Sequence, residues 1–126
     1  VADCRGLLWS GRLALGCAPE TLAAELSERL GRRATLIGAG RERIERLAWC
    51  TGGGQGYIEQ PAALGVDAFI SGEISEQTTH LAREHGIAFL AAGHHATERY
   101  GVQALGEHLA EQFGIVHRFV EIDNPA

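Results

Sequence analysis

The residues best suited to chemistry lie in the run His94-His95-Ala96-Thr97-Glu98. On a helix starting near His95, His94 and Glu98 fall one turn apart, where an imidazole and a carboxylate can reach the same ion. That donor pair suits zinc, manganese or iron, whereas calcium asks for more oxygens. The same spacing also fits a second arrangement, in which His94 bonds a backbone carbonyl and Glu98 completes a helix cap. Two donors fall short of the three or more that a tight site uses.

Two further features accompany this run. Glu73, after Gly72, is placed to act as a general acid/base or to orient a metal-bound histidine; a carboxylate near a helix N-terminus would look the same. Gly52-Gly53-Gly54 can bring backbone N–H groups to a phosphate, or can simply make a tight turn. It is neither a Walker A loop nor GxGxxG, and the chain has no lysine among its eleven basic residues. A P-loop lysine, a Schiff-base lysine and a lysine general base are thereby excluded.

Each of these features follows a segment that reads as a strand. Ile44–Cys50 precedes the glycines, 66–71 (VDAFIS) precedes Glu73, and 87–92 (IAFLAA) precedes His94. The last two are near-continuous apolar runs, as expected of strands buried on both faces of a parallel sheet. Strands of that kind bind ligands beyond their carboxyl ends, so the three loops can share one rim. Further strands are expected over 7–15, 34–37 and 115–122. Helices are expected from Pro19 to Gly31 on Leu22, Leu26 and Leu30, from a Ser75 cap to Gly86, and along Val102, Leu105, Leu109 and Phe113 to Gly114. Pro61 falls inside the segment that should cross from the glycines to the next strand, so that helix is either kinked or begins near Pro61. Alternating strands and helices predict a single α/β domain over 1–126, a mostly parallel sheet with flanking helices.

Composition narrows the function classes. The net charge of −5 gives no general attraction to nucleic acid or anionic membrane, although Arg41, Arg43 and Arg46 cluster locally. Cys4, Cys17 and Cys50 are odd in number and widely spaced, which reads as reduced thiols in a cytoplasmic protein. Cys50 reads as a buried small residue. The apolar runs are too short to span a bilayer. The chain starts at Val1 and has no methionine, which reads as a fragment or a processed product.

The stretches AWCTGGGQGYI, GVDAFISGEISEQTTH, AAGHHATERYG and the terminal IDNPA, in that order, resemble the bacterial GTP cyclohydrolase I type 2 homologues, the Nif-three-like proteins. The resemblance runs from about Arg43 to Ala126, with 22–33 fitting more loosely, and identifies the chain with the C-terminal half of such a protein. It implies one half of a two-lobed α/β fold, a ring-shaped hexamer, and two divalent ions (zinc, iron or manganese) per full-length chain. His94 and Glu98 match ligands from the C-terminal half, while a His-His pair and an Asp would come from the absent N-terminal half. His95 is not assigned as a ligand. Glu73 and Gln77 match positions near the site where some relatives carry Asp and His. The implied function is metal-dependent hydrolysis of a nucleotide-like substrate, with Glu73 shuttling protons and Gly52, Gly53 and Gly54 facing phosphates. This chain alone is expected to be inactive. The alternative is a non-catalytic, metal-handling hexameric scaffold.

Overall fold

The computed structural model describes residues 6–38 and 40–125. Five strands, β1 (Trp9–Cys17), β2 (Thr35–Ile37), β3 (Ile44–Cys50), β4 (Ala68–Ser71) and β5 (Ala88–Ala91), form one sheet in the order β1-β3-β4-β5-β2. Four helices accompany it: α1 (Pro19–Leu30), α2 (Glu59–Ala63), α3 (Glu76–His85) and α4 (His94–Phe113). The three central strands are parallel, and both edge strands run antiparallel to their neighbours. The sheet is therefore mixed, with its parallel part at the centre.

The central strands are buried on both faces, as their composition requires. Alternate residues point to opposite sides. Phe69 and Phe89 face Ile58, Val66 and Ala82, and their rings meet edge-on at 5.6 Å. Ala68, Ala88 and Leu90 face Leu22 and Ile44, with Leu26 packed beside them. Ser75 caps α3 by accepting the Thr78 N–H, and α1, α3 and α4 each end at a left-handed glycine, Gly31, Gly86 and Gly114.

Pro61 does not kink a long helix. A 3-10 turn over Gln55–Tyr57 precedes the five-residue α2, and Pro61 lies in its first turn. A missing N–H is cheap there, because first-turn N–H groups lack intrahelical acceptors.

One expected strand is absent. Residues 115–122 join no sheet ladder. They run back along α4 instead: the His117 ring sits against Gly106, and Glu121 meets His95 at 2.9 Å and Arg99 at 3.2 Å. Side-chain pairing to the helix thus replaces backbone pairing to a strand. Along α4 the apolar stripe is real but uncovered by described residues, with Val102, Leu105 and Phe113 all exposed. Cys50 is buried and Cys17 half-buried, and Cys4 lies outside the described residues. The basic cluster is dispersed among separate partners: Arg41 pairs with Asp67, Arg43 with Glu45, and Arg46 donates to the carbonyls of Leu64 and Gly65. Among the described residues no helix is long and apolar enough to cross a membrane.

Candidate functional site

The loops after β3, β4 and β5 are joined through their backbones at the carboxyl rim of the parallel strands. The Gly52 carbonyl accepts from the N–H of Gly54 (3.0 Å), the N–H of Gly72 (2.9 Å) and the Ser71 hydroxyl (3.2 Å). The Gly72 carbonyl in turn accepts from the Gly93 N–H at 2.9 Å. A Cβ on Gly72 would lie 2.6 Å from the Gly52 carbonyl oxygen and 2.8 Å from the His94 Cα, so the third loop can close on the first only because Gly72 has no side chain.

On this rim α4 begins with His94, one residue earlier than its spacing suggests. The imidazole is held between two carboxylates. Nδ1 lies 2.6 Å from Glu73 Oε1, and Nε2 lies 3.0 Å from Glu98 Oε2, on the next turn of the same helix. The Gln55 side-chain amide donates to the other Glu73 oxygen at 3.1 Å. Glu73 therefore fixes the ring through Nδ1 and leaves Nε2 directed toward the Glu98 carboxylate. The hydrogen bonds from His94, and then from Gln55, hold the Glu73 carboxyl below its ordinary range. The bond to Glu73 raises His94, with Glu98 adding to the effect against a smaller opposing effect of burial.

All three residues singled out by chemistry thus meet at one point. The triglycine loop meets them too: a Cβ on Gly52 would strike the Glu98 carboxylate and come within 3.0 Å of His94 Nε2, and one on Gly53 would touch Glu73. Its N–H groups are partly committed, however. Gly52 N–H donates to the Thr97 hydroxyl at 2.9 Å, and Gly54 N–H to the Gly52 carbonyl. Thr97 and Gln55 escaped the sequence reading. Thr97 could have been found as a hydroxyl on the same turn as His94 and Glu98, but Gln55 carries no local signal. Gln77, in the first turn of α3, is exposed.

The donor set can be tested against a metal ion. His94 Nε2 and a Glu98 oxygen converge, and the Glu73–Nδ1 bond is the carboxylate–histidine arrangement that fixes the tautomer of a metal-bound imidazole. Among the described residues no group of three or more His, Cys, Asp or Glu side chains could hold an ion. The two converging donors on this chain therefore stop short of a complete metal site.

The profile of the Duf34/NIF3 (NGG1p interacting factor 3) family matches residues 2–125. The chain belongs to this family. Among curated NIF3-family relatives, a GTP cyclohydrolase 1 type 2 homolog from Allochromatium vinosum is 69% identical over 121 residues, covering 96% of this chain and 48% of that protein. One from Pseudomonas aeruginosa is 55% identical, covering 97% and 48%. A solved structure described as protein ybgI, of unknown function, superposes with a TM-score of 0.92 at 50% identity, over 95% of this chain and 49% of that one. The chain therefore spans about half the length of the NIF3 relatives it matches.

Proposed function

We propose that this chain carries half of a two-ion hydrolytic centre that acts on a nucleotide-like substrate, completed by residues beyond these 126. One observation carries the reading: His94 is clamped through Nδ1 by Glu73 while its Nε2 converges with Glu98. The name shared by the relatives, GTP cyclohydrolase 1 type 2 homolog, supports the substrate class.

In this reading His94 and Glu98 hold the ion, which when bound would activate water and polarise the group under attack. Glu73 orients the imidazole, and its exposed second oxygen, steadied by Gln55, is free to exchange a proton with water. Gly52 and Gly53 leave the room in which these side chains gather. The ring-shaped hexamer belongs to the same proposal.

Elemental analysis tests the split site. Loaded and desalted side by side, this chain should retain almost no metal and a full-length relative about two ions per chain. Equal retention would overturn the proposal. A loaded full-length protein that leaves GTP and other nucleotides intact would favour a metal-handling scaffold over a hydrolase.

A further inference from the structure

A cleft of about 370 Å³ lies beside the half-site, between the end of α1, the first turns of α4 and the returning tail. Arg32, Arg33 and Arg99 line it against two carboxylates, Glu121 and Asp123. Glu121 is already paired, with Arg99 at 3.2 Å and with the His95 ring at 2.9 Å, and Arg99 also donates to the Leu30 carbonyl at 2.7 Å. Arg99 is thus a fixed wall. Arg32 and Arg33, by contrast, form no ion pair among the described residues, and Arg32 Nη1 is buried without an acceptor. A buried guanidinium donor left unpaired is costly, and an oxyanion is the partner its planar fork fits.

The position of Arg32 ties this cleft to the site. Its stem crosses Gly93, where a Cβ would lie 2.6 Å from the Arg32 Cδ, so Gly93 makes room for the arginine one residue before His94. A second cleft of about 440 Å³ shares the lining residues His95, Arg99 and Asn124 with the first, and is also walled by His94, Glu98, Val102 and Phe119. The two clefts therefore adjoin, with the two uncommitted guanidiniums on one side of His95 and Arg99 and the apolar wall and half-site on the other. The triglycine loop, whose N–H groups are partly spent and which faces Glu73 and Glu98, is poorly suited to an anion without metal.

We infer that the Arg32–Arg33 cleft is a phosphate-binding subsite, seating the phosphate of a nucleotide-like ligand whose remainder lies along Val102 and Phe119 toward His94. The orientation of the ligand rests on the hydrolase reading; the anion site does not. Metal-free protein, held with a chelator, separates the two, because anion binding there is independent of turnover.

The test is calorimetric titration of this chain with inorganic phosphate, GMP and guanosine, with circular dichroism confirming that each variant folds. Phosphate and GMP should bind, and guanosine much more weakly. Arg32→Gln should weaken phosphate roughly tenfold, as loss of a charge-assisted contact does, with Arg32→Lys recovering only part. The exposed Arg33→Gln, which carries less risk to folding, should weaken it several-fold. Arg83→Gln, at the opposite end of the parallel strands near the close of α3, should change nothing. Phosphate affinity within twofold of wild type in both Arg32→Gln and Arg33→Gln, or an equal loss in Arg83→Gln, would overturn the assignment.

Discussion

At the scale of single residues, the site depends on one imidazole whose two nitrogens have different tasks. Because Glu73 raises His94, protons compete with metal for Nε2 at a higher pH than for an ordinary histidine. Metal affinity should therefore fall as pH drops through the raised value. Glu73→Gln removes the main cause, so the His94 titration followed by proton NMR in metal-free protein should move to lower pH. A midpoint that stays put would mean Glu73 does not set it. The same substitution should weaken zinc binding roughly 10- to 100-fold in a complete, metal-loaded family member, the usual cost of losing such an orienting carboxylate. Gly52 is constrained in a different way. Its φ of +64° and the Glu98 carboxylate beside it leave no place for a methyl group. Gly52→Ala should cost at least about 1–2 kcal/mol in thermal unfolding from the backbone conformation alone, and should displace Glu98 as well.

At the scale of elements, Asp67 joins the starts of β3 and β4. Its carboxylate accepts the N–H groups of Glu45 and Arg46 at 3.0 and 2.9 Å and faces Arg41 at 3.6 Å. Burial pushes that carboxyl up, but the two N–H donors with Arg41 and Arg46 outweigh it and hold the group below its ordinary range. A depressed carboxylate stabilises the fold above its unfolded pKa and loses that contribution as pH falls through the folded value. Asp67→Asn should thus cost about 1–2 kcal/mol near neutrality and flatten the acid side of the stability curve, measured by denaturant titration across pH. The central strands and helix stops were legible because each is written locally: VDAFIS and IAFLAA in apolar runs, Gly31, Gly86 and Gly114 as left-handed ends. The antiparallel edges were not, since β2 pairs with β5 some fifty positions away and three residues carry no sign of direction. Segment 115–122 misled for a related reason. Its apolar residues suit a strand, but the deciding partners are His95, Arg99 and Gly106 on the helix just before it, where only the folding back of the tail brings them together. In the site, His94 and Glu98 share one helix and could be read by spacing, whereas the Glu73 and Gln55 contacts exist only once three strands are adjacent.

At the scale of the whole molecule, exposed apolar residues lie on β1, at Trp9 and Leu15, and in larger number on α4 and its attached tail. Val102 (60% exposed), Leu105 (59%) and Phe113 (72%) on α4 are joined by Val116 and Val120 in the tail that folds back along it. Contiguous apolar surface of this kind marks an interaction face. The chain on its own should self-associate with rising concentration in sedimentation velocity, and Leu105→Glu with Phe113→Glu should restore a monomer. A wild-type chain that stays monomeric throughout would show that this face needs no cover. The rim of the sheet has the opposite character. Segments outside regular structure usually exchange their amide protons quickly, because they open without disturbing the core. The Gly52 carbonyl, shared by three donors from two loops and a buried serine, couples those loops to the strand ends. The Gly54 and Gly72 amides should accordingly exchange with deuterium on the slow timescale of the central strands, and Ser71→Ala should quicken them together. The floor of the site would then open only when the sheet itself does.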